Sequence, residues 1–475
     1  MDATQIRRLG PQLGRYLDQF DDCFARSDTR AHLPVYVRGQ LSDLPRKSVE
    51  PMALAQGVPP RTLQQFLSLL DWDHGRMRQQ LQQIVARDHV HPRAIGIIDE
   101  TGCPKKGDKT PGVQRQYCGA TGKIENCVVT VHMSYAVEDF HCLVNNELYL
   151  PESWAADRER CRAAGIPDSV VYRPKWRIAL ELLDQASVNG LTFAWLTFDE
   201  GYGSKPEFLR ELSRRRQRYV AEVPSSFTGW LKAPRLTDGS RRRGTRRRHR
   251  LRPVRPARSV ADLFRYYPAL RDAPWQPHHV KDGQRGPMVW EAKRVRFHPQ
   301  TEDGDPAMPH YLIVTRNPLQ PEELKFFVSN APADTSLSVL LLVAFARWHV
   351  ERCFEDEKTE LGFDHYEGRN YLGLLRHQIV TAVSHLFLAR VRHELRGEKS
   401  GADGVPGASG SCGIGAVVVA ESPSGPHPAG AGRDQDHVLA ARQRQGTREP
   451  YQTNPQKITR RRHTTHSHPT MLVGR

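Results

Sequence analysis

Apolar positions recur with a helical period through residues 1–90 and change to strand-like runs from Ala94 onward. Leu13, Tyr16, Leu17, Phe20 and Phe24 fall on one face of a helix over Gln12 to Phe24. Leu33 to Leu41 follows. Next, a short helix over Pro51 to Gln56 stops at Gly57, and a second starts after Pro59-Pro60, where proline suits a first helical turn. Helix, glycine turn, helix is the outline of a helix-turn-helix, with Arg61, Thr62, Gln64 and Gln65 as the polar side chains of its second helix. Plain helical packing is the commoner use of such a pair.

From Ala94 the runs Ala94–Ile98, Asn126–Val137 and Cys142–Leu150 predict three successive strands. A helix over Lys175 to Ala186, a buried strand over Phe193–Phe198, a helix over Lys205–Arg216 and a strand over Tyr219–Val223 complete an α/β layer with a mixed sheet. Between 224 and 333 proline, arginine and glycine dominate, with alternating runs at Val289–Phe297 and His310–Thr315, which predicts a basic loop and then a β-rich insertion. One long helix is expected over Thr335 to Leu361 and another over Leu372 to Leu395. Residues 401–475 hold a single aromatic, Tyr451, among Gly, Ala, Ser, Pro and Arg, a composition too poor in apolar surface to fold. The expected divisions are therefore 1–90 helical, 91–223 first part of the α/β core, 224–333 loop and insertion, 334–398 helical remainder, and 399–475 a disordered tail, read also as an out-of-frame extension.

Charge sharpens this outline. The formal net charge is +16, and Arg241 to Arg258 contributes ten arginines with no acid. A concentrated basic run suits a polyanion, although a solvated loop is its bland alternative. Eight cysteines show no CxxC pair, the N-terminus lacks the apolar core of a signal peptide, and no continuous apolar stretch of about 18 residues occurs. A reduced, cytoplasmic protein is expected.

Three carboxylates carry the candidate chemistry. Asp99 and Asp199 each close an apolar run, so strand cores would hold them at a sheet edge; Glu351 would approach from a helix. Acids on separate elements can converge on Mg²⁺, or on Mn²⁺, through oxygen ligands. Two such ions support in-line phosphoryl displacement, with Asp99 bridging both and Asp199 and Glu351 each completing one side. A surface carboxylate is the simpler account of any one of 53 acids, but two strand-end acids in one layer favour function. On the helix, Arg347 and Lys358 share the face of Glu351, as does the rival acid Glu355, while Glu357 points away.

These passages resemble the DDE transposases of bacterial insertion sequences, in the group with an RNase H-like core and a β-rich insertion before the final acid. The resemblance covers about residues 30 to 395 and rests on Leu41-Ser-Asp-Leu-Pro-Arg, Ile98-Asp99-Glu-Thr-Gly-Cys-Pro-Lys-Lys-Gly, Gln116-Tyr-Cys-Gly-Ala-Thr-Gly, Glu147-Leu-Tyr-Leu-Pro and Phe198-Asp199-Glu-Gly-Tyr-Gly. Arg347, Glu351 and Lys358 match the family's Tyr-Arg-Glu-Lys spacing, while Ala344 stands at the tyrosine position. The resemblance implies Asp99, Asp199 and Glu351 as metal ligands, Arg347 and Lys358 on DNA phosphates, and N-terminal helices on terminal inverted repeats. It also implies nicking followed by attack of a 3′-hydroxyl on target DNA, with a homodimer pairing two ends. Lys105, Lys106 and Lys109 would help seat the strand, against the alternative of a solvated loop. Trp230 and Trp290 would stack on an extruded base or, more simply, pack in the insertion. The rival readings are a non-catalytic repressor or relic copy that still binds the repeats, and a host nuclease of the same fold.

Overall fold

The computed structural model describes residues 3–238, 251–283 and 286–400. Residues 241–250 of the arginine run and the expected tail from 401 onward lie outside them. The N-terminal part is helical as its periodicity predicts: α1 (Ala3–Leu17), α2 (His32–Leu41), α3 (Val49–Ala55), α4 (Pro60–Ser68) and α5 (His74–Asp88). The helix expected through Phe24 ends at Leu17 and gives way to a tighter 3₁₀ turn over Asp18–Cys23. Gly57 closes α3 at φ 68°, a left-handed conformation that glycine adopts without a Cβ penalty.

The sheet is built from β1 (Ile95–Pro104), β2 (Gln114–Cys118), β3 (Lys123–Val137), β4 (Phe140–Leu148), β5 (Trp195–Phe198) and β6 (Tyr219–Val223). Helices α6 (Lys175–Val188) and α7 (Pro206–Arg214) make the connections. β1, β3 and β4 form an antiparallel meander, while β1, β5 and β6 run parallel. The resulting order β4-β3-β1-β5-β6 is RNase H-like. Beyond β6 most strands of the 224–333 stretch continue the same sheet, while Leu236–Asp238 and Leu251–Pro253 pair as a separate two-stranded ribbon and Arg258–Ser259 adds a short outer strand. The main strands are β7 (Thr228–Trp230), β8 (Gln276–Gly283), β9 (Gly286–Pro299), β10 (His310–Asn317) and β11 (Gln320–Ser329). β11 pairs directly with β6, and β10 and β9 follow outward.

The long helix expected over Thr335 to Leu361 is two helices, α8 (Leu337–Phe345) and α9 (Trp348–Thr359), separated at Ala346–Arg347. Neither glycine nor proline sits at the break. Ala346 N–H bonds the carbonyl of Val343, one residue short of the α-helical partner, and the break coincides with the point where Arg347 is drawn toward the sheet. α8 packs on β5 and β6, and α9 on β1, β3 and β4.

Helix α10 (Tyr371–Ser400) ties the halves together. Its segment Tyr371–Arg396 is long and apolar enough to cross a membrane, but 94% of the most apolar window is buried inside the protein. That buried face also carries polar side chains. Tyr36 Oη meets His377 Nδ1 at 2.8 Å, Gln40 donates to Thr381 Oγ1 at 2.7 Å, and Ser384 donates to Gln40 at 2.8 Å. Arg376, 3% exposed, donates to the carbonyls of Phe66, Leu67, Leu70 and Trp72 at 2.7–3.4 Å, with its guanidinium over the Trp72 ring. A cation here satisfies the orphan carbonyls at the end of α4 and complements the helix dipole. Burial pulls the Arg376 pKa down to about 10. Arg376→Met, which keeps the volume and removes every donor, is expected to lower the unfolding free energy by about 3 kcal/mol, read from the urea midpoint.

Candidate active site

Sheet register places the first two acids. Ile98 pairs with Phe198 and Phe198 with Ala221, so Asp99, Asp199 and Glu222 are the next residues on three adjacent parallel strands. Carboxyl ends of parallel strands are where open α/β sheets present their chemistry. Asp199 stands just past β5 as the N-cap of a short helix over Glu200–Gly203, accepting from Tyr202 N–H at 3.3 Å. Gly203 is required at that turn: a Cβ there would lie 1.9 Å from the Glu222 carbonyl oxygen. Beside them Glu100 pairs with Lys175 and accepts from Tyr202 Oη at 3.2 Å.

Asp99 is 9% exposed. Its Oδ1 accepts the Glu100 N–H at 2.7 Å, and its Oδ2 lies 3.4 Å from Arg347 Nη2. Burial, reinforced by the Asp199 carboxylate and opposed by Arg347, pushes its pKa up to about 7. The other Arg347 nitrogen, Nη1, donates to Glu222 Oε2 at 2.7 Å. Burial opposes the charge of Arg347, but Asp99, Asp199, Glu222 and Glu351 together raise its pKa above the ordinary value. Four carboxylates from four elements thus act on one guanidinium.

Glu351 is exposed in the first turn of α9. Two contacts bracket it on its own face: Arg347 at the sheet ends, and Lys358, whose Nζ donates to Thr101 Oγ1 at 2.6 Å and the Gly102 carbonyl at 3.1 Å. The rival Glu355 is exposed and paired with Arg352 at 3.0 Å. Glu357 lies off the Glu351 face, as its spacing predicts; it is fully buried, and burial raises its pKa well above the usual carboxylate range.

The remaining candidates separate. Lys105 does not project to solvent. Its Nζ donates to the Asp364 and Tyr366 carbonyls, both at 2.7 Å, because the strand carries it under the loop before α10. Lys106 and Lys109 are exposed. On α4, Leu63, Phe66 and Leu67 face the core, Arg61 and Gln64 are exposed, and Gln65 is half-buried. Trp230 and Trp290 are both buried, the first donating to the Arg255 carbonyl and the second against Phe345, so they pack rather than present a face. Ala344 is buried in the apolar core and offers no phosphate contact. Sequence reasoning missed Glu222, although it is another lone acid near the end of an apolar strand.

Hard oxygen donors and crowded negative charge fit a divalent cation: Asp99, in the middle of β1 where its parallel pairing with β5 stops, and Asp199, just past β5, follow paired residues, and the Asp199 carboxylate makes Asp99 harder to ionise. Among the described residues no three acidic, histidine or cysteine side chains form a group that could hold a metal ion, so Glu351 does not join Asp99 and Asp199 in a three-carboxylate site in this structure. Mg²⁺ does not need one, since it is commonly held by one or two carboxylates with water and substrate oxygens.

The sequence profile described as DDE superfamily endonuclease matches residues 19–287, a span that contains Asp99 and Asp199 and ends before Glu351. The chain is also 32% identical over 192 residues to a protein of Microchaete diplosiphon named "Probable transposase for insertion sequence element IS701". That match covers 40% of this chain and 47% of the relative, so the chain spans about half the length of the curated relative it matches.

Asp99 holds its proton more tightly in the folded chain than in the unfolded one, where a carboxyl titrates near ~3.9. Its ionisation therefore costs stability progressively as pH rises from that value through about 7. Asp99→Asn, which cannot ionise, should stabilise the metal-free protein more at pH 8 than at pH 5, by about 2 kcal/mol. Urea denaturation in a chelator measures the difference; equal effects at both pH values would show that Asp99 is not strained by its charge.

Proposed function

Because the chain belongs to the DDE superfamily of endonucleases, we propose that it is a transposase that nicks the ends of a DNA element and joins the freed 3′-hydroxyl to target DNA. The observation that supports this reading is the set of carboxylates whose charge acts on Arg347: Asp99 and Asp199, which follow the paired residues Ile98 and Phe198, Glu222, and Glu351 in the first turn of α9, the helix that packs on β1. In this reading Asp99, Asp199 and Glu351 hold divalent ions, Mg²⁺ with Mn²⁺ as a substitute. When bound, the pair activates the attacking oxygen and stabilises the leaving oxygen of an in-line displacement. In the first reaction a water oxygen bonds to phosphorus and the bond to the 3′-oxygen breaks. In the second, that 3′-oxygen attacks a target phosphate and displaces the next 3′-oxygen.

The chain's own residues supply position and charge. Arg347 and Lys358, on the face of Glu351, offer cations to the phosphates flanking the scissile bond; each then exchanges its present protein partners for phosphate oxygens. The pair α3–α4, through Arg61, Gln64 and Gln65, reads the terminal repeats, and exposed Lys106 and Lys109 follow the strand. Lys105 is assigned a structural role instead, in keeping with its two carbonyl partners. Residues 1–90 serve the ends, and 91–223 with 334–398 form the catalytic core, interrupted by 224–333. Two chains would pair two ends as a homodimer on DNA.

Mg²⁺-dependent nicking of DNA carrying the element's own ends tests the reading. Asp99→Asn, Asp199→Asn and Glu351→Gln should each lower nicking at least about a hundredfold, with end binding retained. Wild-type activity in Asp99→Asn would refute the ligand role. Specific binding by the unmutated chain without any nicking would favour the repressor reading.

A further inference from the structure

Glu222 is assigned no role by the family signature, yet two cations hold it beside the candidate acids. On β6 it stands in line with Asp199, one strand further from Asp99. Its Oε2 accepts Arg347 Nη1 at 2.7 Å, and its Oε1 accepts Lys325 Nζ at 3.2 Å from β11. The turn after Asp199 rests on its backbone through Gly203. Arg347 therefore has two unequal partners. The bond to Glu222 has the length of a full charge-assisted hydrogen bond, whereas the contact to Asp99 Oδ2, at 3.4 Å, is long.

We propose that Glu222 is a positioning residue that holds the Arg347 guanidinium back from Asp99, leaving Asp99 Oδ2 available to a divalent cation. The inference rests on the reading of Asp99 as a cation ligand. A mostly buried guanidinium cannot be left without a counter-ion. If the charge on Glu222 is removed, the nearest remaining anionic oxygen is Asp99 Oδ2, and Arg347 closes on it. The protein's own cation then competes with the metal for that oxygen. Lys325 reinforces the arrangement by fixing Glu222 from the far side.

The test uses the full chain without DNA, titrated with Mn²⁺ alone and followed by calorimetry and by the Mn²⁺ resonance signal. Glu222→Gln, which keeps the shape, should weaken Mn²⁺ binding about tenfold, and Glu222→Gln combined with Arg347→Gln should restore it to near the wild-type value. Unchanged affinity in Glu222→Gln would overturn the proposal. So would a double variant as weak as the single one, because Glu222 would then act on the sheet and not through Arg347. A crystal structure of metal-free Glu222→Gln gives a readout independent of the metal: Arg347 Nη2 should lie within ~3.0 Å of Asp99 Oδ2. An unchanged separation overturns the proposal. Mn²⁺ binding indifferent to Asp99→Asn would instead break the catalytic reading, and the crystallographic arm would still decide what Glu222 does.

Discussion

Carboxylates gathered in a poorly hydrated place need positive charge, and here Arg347 meets it for Asp99 and, together with Lys325, for Glu222. Asp99 and Asp199 are brought side by side by strand register, a rigid geometry that side-chain motion cannot relax. Arg347 lies against them from the helical layer, and the same residue reaches Glu222 on the next strand. The guanidinium is therefore both a counter-ion and a fastener between layers. Its fork geometry matters, since a lysine could not address two carboxylates on different strands with two separate donors of one planar group.

The surrounding fold serves that alignment. Parallel pairing of β1, β5 and β6 sets the acids in a row, and the glycine at 203 lets the chain turn away immediately after Asp199 without displacing β6. Packed on β4, α10 fastens the N-terminal helices through a buried polar seam and the Arg376 cap. The N-terminal helices and the sheet that carries the acids are consequently joined by one long buried element. Residues 3–400 include both, within a single compact unit.

Much of this was readable beforehand, and the exceptions share a cause. β1, β3, β5 and β6 announce themselves as apolar runs because both of their faces are covered. β2 and β8 do not: Gln114-Arg-Gln-Tyr-Cys and Gln276-Pro-His-His-Val-Lys-Asp-Gly are strands because a neighbour pairs with them, a tertiary effect absent from their own composition. Asp99 and Asp199 were legible as acids ending apolar runs, and Glu222 obeys a similar rule within a shorter strand. Lys105 shows the limit of reading charge alone, since nothing in Pro-Lys-Lys-Gly tells which amine folds back onto carbonyls. The interruption at Ala346–Arg347 carries no breaker residue and could not be seen at all.

That interruption has its own consequence. A sheet coils progressively from strand to strand, so a straight rod laid across many strands stays flush with only a few of them. Splitting the rod lets α8 follow the β5–β6 side and α9 the β1–β3–β4 side, each flush with its own portion. The angular phase of Glu351 about its axis is then set by a single joint, not by the whole preceding helix. Adding or deleting one residue at that joint would swing the acid by about 100° while the packing of α8 stayed as it is. The two helices are accordingly constrained in different ways: α8 by the buried side chains Leu340, Leu341, Val343 and Ala344, and the phase of Glu351 by the length of the joint.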